Sequence, residues 1–206
     1  PGVLAVVGSY DLTDDPSKLF QDLRQAGIRA IEIPLVAKEG EVLFQHAVSW
    51  ARGRDVFVGA GTVFNEEGVS WAIREGADFV ATPHVNPQVI RRASRQGVPC
   101  LPGAMSATEV REAMELGAEL IRVYPLGVFG PQIIKDILAV CPRAGLIASG
   151  GLMPGRACEW VKSGAVAVSW TVCRVDDGDN WARDLASRLI EEVNSARQDF
   201  ARLNQT

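Results

Sequence analysis

The sequence predicts an α/β fold, a single (β/α)8 TIM barrel over residues 1–206, and three observations carry that expectation. A phrase made of a polar helix end, a glycine and an apolar run recurs along the chain. Eight strand-length apolar segments alternate with helix-start signals. No G-x-G-x-x-G follows the first of those segments, where an open doubly wound sheet for dinucleotides carries it.

The recurring phrase reads QAGIRAIEIP at 25–34, REGADFVATP at 74–83, RQGVPCLPGA at 95–104, ELGAELIRVYP at 115–125 and KSGAVAVSW at 162–170. Its glycines, Gly27, Gly76, Gly97, Gly117 and Gly164, can take the left-handed conformation that ends a helix at little steric cost, so each phrase reads as helix, cap, strand. Strands are expected near Val3–Val7, Ala30–Leu35, Val56–Ala60, Phe79–Thr82, Cys100–Ala104, Leu120–Tyr124, Gly145–Ser149 and Ala165–Val168. They are continuous apolar runs, as parallel strands covered on one side by helices and packed on the other should be. Helices are expected after Thr13-Asp14-Asp15-Pro16, Asn65-Glu66-Glu67, Asn86-Pro87 and Ser106-Ala107-Thr108-Glu109, where a small polar cap precedes acidic residues or proline. A further helix is expected from about Pro154. The last, from Asn180 to about Leu203, turns Leu185, Leu189, Ile190 and Val193 inward. Trp160, Trp170 and Trp181 are read as core or subunit-interface residues.

Composition narrows the class of function. A chain of 206 residues, 47% hydrophobic, suits one compact domain. Net charge −4 without any basic stripe argues against nucleic acid and membrane surfaces. No apolar run reaches the ~20 residues of a membrane span, and no secretory leader opens the sequence. The four cysteines form no C-x-x-C pair, which fits reduced thiols in a cytoplasmic protein and no structural zinc. Because the sequence begins at Pro1 instead of Met, a few leading residues are expected to be missing from it. The expected partner is a small anionic molecule, with no cofactor.

In such a barrel the chemistry sits where strands run into βα loops. Strand two carries Glu32 in an otherwise apolar run, which suits either a general acid or base in a dry interior or a structural carboxylate paired with an arginine. Strand three ends in Gly59-Ala60-Gly61-Thr62-Val63, where Gly61 permits close backbone approach and Thr62 offers a hydroxyl. Strand four ends in Thr82-Pro83-His84; His84 suits a proton shuttle or a hydrogen-bonding loop residue. Glu32 and His84 lack a third metal ligand at any recognisable spacing, so no metal is expected. Ser149-Gly150-Gly151 after strand seven, with the helix that follows and Ser169-Trp170 on strand eight, can converge backbone N–H groups on a phosphate or carboxylate.

With Pro102-Gly103-Ala104 and Val123-Tyr124-Pro125 added, seven phrases stand in order and spacing: those two, Ile31-Glu32-Ile33, and the strand-three, -four, -seven and -eight ends just quoted. Together they resemble the 2-keto-3-deoxy-6-phosphogluconate and 4-hydroxy-2-oxoglutarate aldolases over nearly the whole chain. The resemblance implies a (β/α)8 lyase, usually a homotrimer, that cleaves a 2-keto acid to release pyruvate. It also implies substrate contacts at Gly61, Thr62, Pro83, Gly103, Pro125, Ser149, Gly150, Gly151 and Ser169. Family members hold pyruvate as a Schiff base on a strand-six lysine in K-[VF]-F-P and move protons with the strand-two glutamate.

Here that phrase is Arg122-Val123-Tyr124-Pro125, and a guanidinium cannot serve as an amine nucleophile. An arginine often found at the end of strand one is Gly8, and one after the strand-two glutamate is absent from Pro34-Leu35-Val36. Three functions follow as expectations. The first is an imine-free enzyme in which Glu32 moves a proton, aided by His84 or Tyr124, while Arg122 stabilises an anion or enolate. The second is an ordinary aldolase with a relocated lysine, for which Lys38 is placed best among Lys18, Lys38, Lys135 and Lys162. The third is an inactive metabolite-binding barrel.

Overall fold

Glycine ends the helices of the recurring phrase, and Asn65, Asn86 and Ser106 start helices where the sequence places them. The computed structural model describes residues 2–8, 16–37, 39–127, 129–174 and 179–203. Its strands are β1 (Val3–Val6), β2 (Ala30–Pro34), β3 (Phe57–Gly61), β4 (Phe79–Thr82), β5 (Cys100–Ala104), β6 (Leu120–Val123), β7 (Gly145–Ser149) and β8 (Ala167–Thr171). The helices are α1 (Pro16–Gln25), α2 (Gly40–Ala51), α3 (Glu66–Arg74), α4 (Pro87–Arg95), α5 (Ala107–Glu115), α6 (Gln132–Val140), α7 (Ala157–Lys162) and α8 (Trp181–Leu203). The strands are parallel and close in sequence order, β8 pairing with β1, so the (β/α)8 barrel is the fold.

The five glycines that end the recurring phrase's helices all take positive φ, from 70° to 105°. Asn65 caps α3 by accepting from the Gly68 N–H, and Asn86 caps α4 by accepting from Gln88 and Val89. Thr13-Asp14-Asp15 lies outside the described residues; α1 opens on Pro16. Two elements are displaced from expectation by more than one residue. β8 starts two residues later because Gly164 and Ala165 are held in the turn by the Val161 and Trp160 carbonyls, and the strand then runs on to Thr171 opposite Val6. α7 starts at Ala157 because Gly155, at φ 97°, extends the preceding turn.

At α5 the Ser106 hydroxyl accepts from the Glu109 N–H, and the Glu109 carboxylate accepts from the N–H groups of Met105 and Ser106, each at 2.9 Å. The Ser106 hydroxyl, the Met105 N–H and the Ser106 N–H hold the Glu109 carboxyl below its ordinary range. A carboxyl depressed on folding stabilises the fold above its unfolded pKa, about 4.3, and that stability is lost as pH falls through the lower folded value. Glu109→Gln should therefore lower the melting temperature at pH 7 by roughly 2 °C, a gap that closes in more acidic buffer. A gap unchanged down to the acid limb of the melting curve would show that the charge is not what caps the helix.

Alternation along each strand sorts side chains into two layers. Ile31 and Ile33 of β2 join the main core between sheet and helices, with Phe20, Phe44, Ile121 and Leu146. Inside the barrel Leu4, Phe79, Ala81, Leu101 and Ile147 form an apolar cluster. Gly59 makes room for it, since a Cβ there would lie 2.0 Å from the Phe79 ring. α8 buries Leu189 and Val193, with Leu185 and Ile190 half-buried against the core. Trp160, Trp170 and Trp181 are buried in the core. No described helix is long and apolar enough to cross a membrane.

Candidate active site

Glu32, the middle residue of β2, points into the barrel because its neighbours Ile31 and Ile33 point out to the helices. β6 stands four strands away on the opposite wall, and Arg122 enters the interior from it. Arg122 registers with Ile147 of β7, and Ser149 is the next inward residue of that strand toward the mouth. The arginine extends in that direction. Its Nη1 donates to Glu32 Oε1 at 2.9 Å and Oε2 at 3.0 Å, while Nε and Nη2 donate to Ser149 Oγ at 3.2 and 2.9 Å.

The Glu32 and Arg122 side chains are 2% and 12% exposed. Two charges so far from water persist only because each is hydrogen-bonded to the other, and the arginine also to Ser149. The arginine that a structural Glu32 would need is thus Arg122 itself. Gly61 is required beside them, since a Cβ there would lie 2.3 Å from Glu32 Oε1.

Three further residues complete the upper layer. Ser169 of β8 registers with Ser149, and its buried Oγ has no hydrogen-bond partner among the described residues. An unpaired buried hydroxyl costs about 1–3 kcal/mol, which a ligand oxygen would relieve. The Tyr124 ring, 40% exposed at the rim, has its centroid 6.0 Å from the Arg122 guanidinium carbon. Gly150 lets that ring pack on the turn after β7, since a Cβ on Gly150 would meet Tyr124 Cδ2 at 2.8 Å.

Other predicted residues stand apart. His84 is exposed and stacks on Phe64 with ring centroids 6.2 Å apart; none of its described contacts reaches Glu32 or Arg122. Its carbonyl accepts from the Thr82 hydroxyl. Thr62 is half-buried at φ 56°, and Pro125 is exposed. Gly103 packs under the Pro83 carbonyl, where a Cβ would sit 2.2 Å away, and Gly151 lies against Gly127. Among the described residues no group of three or more His, Cys, Asp or Glu is placed to hold a metal.

Two residues were missed by reading the sequence. Phe64 partners His84, and an exposed aromatic just past the strand-three phrase was the available signal. Glu192 of α8 accepts from the N–H groups of Gly155 at 2.6 Å and Ala157 at 3.2 Å. The helix end expected to attract an anion is therefore met by a carboxylate of the same chain. No local pattern marks a contact across 35 residues.

A cavity of about 480 Å³ opens at the opposite end of the barrel, lined by Arg52, Arg54, Asp55, Arg74 and Asp78 among others. Much of its charge is engaged locally: Asp55 with Arg29, Arg74 with Glu75, and Asp78 with the Val58 N–H. Of the lysines, Lys18, Lys135 and Lys162 sit exposed on α1, α6 and α7, outside the barrel; Lys38 lies outside the described residues.

Comparison with known proteins converges on one family. The family described as "Aldolase: KDPG and KHG aldolase" matches residues 2–184. The 2-dehydro-3-deoxy-6-phosphogalactonate aldolase of Escherichia coli (strain K12) is 38% identical over 140 residues, 68% of each chain. The 2-dehydro-3-deoxy-phosphogluconate aldolase of Treponema pallidum is 32% identical over 177 residues, covering 82% of this chain and 81% of that relative. Among solved structures, the native KDPGal structure superposes with a TM-score of 0.87 at 29% identity, covering 96% of this chain and 97% of that one. The closed barrel and the family match over 2–184 agree, and the chain belongs to the KDPG and KHG aldolase family, whose members are lyases.

Proposed function

We propose that this barrel is an enzyme acting on a small carboxylated or phosphorylated 2-keto acid by carbon–carbon cleavage or proton transfer, without a lysine imine. The observation that carries the reading is Arg122 in the barrel interior, joined to Glu32, where the family resemblance implies an amine. Arg122 supplies a fixed positive charge for the keto-acid carboxylate and for the enolate oxygen as the C3–C4 bond breaks. Stabilisation of this kind in a water-poor site is worth several kcal/mol. Glu32 takes the proton of the C4 hydroxyl, and the electron pair of the broken bond becomes the enolate, which a proton then quenches at C3. Ser149, Ser169, Gly150 and Gly151 face the anionic end. Tyr124 and His84 stand at the rim, with Thr62, Pro83 and Pro125 walling the loops and Gly61 and Gly103 leaving room. The relatives' names support a phosphorylated 2-dehydro-3-deoxy sugar acid as substrate, and the family resemblance supports a cytoplasmic homotrimer.

With 2-dehydro-3-deoxy-6-phosphogalactonate as substrate, Glu32→Gln is expected to keep the wild-type circular dichroism and lose at least ~100-fold in kcat/KM. Undiminished turnover in that variant would end the assignment. A second reading, a metabolite-binding barrel, draws on the mutual satisfaction of Arg122 and Glu32. It predicts tight binding of the phosphorylated acid with no conversion over hours.

A further inference from the structure

The Arg122 side chain is 12% exposed where that of Glu32 is 2%, so to an anion entering from the mouth the arginine is the more accessible of the two. Arginine has five N–H donors, and the bonds to Glu32 and Ser149 use at most four, leaving one Nη2 N–H to donate to an incoming oxygen. Ser149 grips the Nε and Nη2 edge, so the guanidinium is tethered to β7 while its Nη1 end is the part that holds Glu32.

A single cation then faces two carboxylates. Before binding, the interior pair sums to zero charge; with a ligand carboxylate on Arg122 it sums to −1, around a group with almost no access to water. Among the described residues Arg122 is the cation paired with Glu32. β1 and β3 bring Val6, Gly59 and Gly61 to Glu32, β7 and β8 bring Ser149 and Ser169, and the cluster beneath is apolar. Tyr124 overlies Arg122, and the described contacts of His84 stop at Phe64 and Thr82. α2 packs on the outward face of β2, away from Glu32.

We propose that Arg122 is a latch on Glu32: a ligand carboxylate draws the guanidinium from Glu32, and the released carboxylate, buried and unpaired, becomes a base that takes up a proton. With a substrate bearing a C4 hydroxyl, that proton comes from the substrate, so carboxylate binding arms the base beside the group it deprotonates. With pyruvate, which has no such hydroxyl, the proton must come from solvent. This inference rests on the proposed function for its ligand class, a carboxylate at Arg122, and not for the reaction.

The test is isothermal titration of the full chain with pyruvate between pH 5 and 8, in pairs of amine buffers that differ in ionisation enthalpy. Wild type is expected to take up more than about half a proton within that range, with affinity falling toward tenfold per pH unit above it. In Glu32→Gln the uptake should vanish. Infrared difference spectra of the wild type should show a carboxylic-acid band appearing with pyruvate, a readout that does not depend on the variant folding. Pyruvate binding without proton uptake, uptake retained in Glu32→Gln, or no pyruvate binding at millimolar concentration would each overturn the latch. Proton uptake in a protein that never turns substrate over would keep the latch and sink the proposed enzyme. Turnover without proton linkage would do the reverse.

Discussion

Arg122→Lys is expected to be converted, nearly completely, to a reduced pyruvate adduct under borohydride, where the wild-type chain is expected to stay unmodified. The side chain enters the barrel from β6 opposite Glu32 and beneath Ser149, so an amine there lies where Arg122 already meets the mouth. Unlike a guanidinium, an amine loses its proton and attacks a carbonyl carbon; loss of water leaves the imine that borohydride reduces. Glu32 stays in place to handle the protons, and Gly61 keeps the space the carboxylate needs. Peptide mapping should place the adduct on the peptide containing position 122. A folded variant without adduct would mean that pyruvate's carbonyl does not come to this end of Arg122, and the pocket would have to be redrawn around Tyr124 and His84.

Arg122→Met should be the most destabilising single change at the site. It strands Glu32, 2% exposed, without its cation, and breaking one side of a buried pair typically costs about 3–5 kcal/mol. In a chain of this length that corresponds to a melting temperature lower by about 10 °C. Replacing both residues, Glu32→Met with Arg122→Met, should recover most of the loss, because two apolar side chains leave no buried charge to solvate. A single variant within ~1 kcal/mol of wild type would show that water reaches Glu32 and that the pair carries little energy.

The barrel was legible in the sequence because its punctuation is local. Gly27, Gly76, Gly97, Gly117 and Gly164 each act within one turn, as do the caps at Asn65, Asn86 and Ser106, so the αβ junctions could be placed without tertiary information. β8 was misplaced by two residues because Ala165-Val166 is as apolar as the strand it precedes; the shift is decided by hydrogen bonds to Trp160 and Val161 and by pairing with β1. Glu32 and Arg122 were each conspicuous, one as a charge in an apolar strand and one as a departure from a family phrase. That they touch was not legible, because contact across a barrel depends on which strands face each other and on how far Arg122 climbs toward Ser149. The separation of His84 from the pair and the capping of α7 by Glu192 have the same origin in tertiary arrangement.

The most direct measurement is the intact mass of the wild-type chain after incubation with pyruvate and borohydride, with Arg122→Lys treated in parallel. An unmodified wild-type mass beside a modified variant is the expected result, and it means that Arg122 holds its anion by charge and hydrogen bonds alone. A reduced adduct on the wild type, mapped to Lys38 or any other lysine, would contradict imine-free chemistry and make this chain an aldolase with a relocated nucleophile.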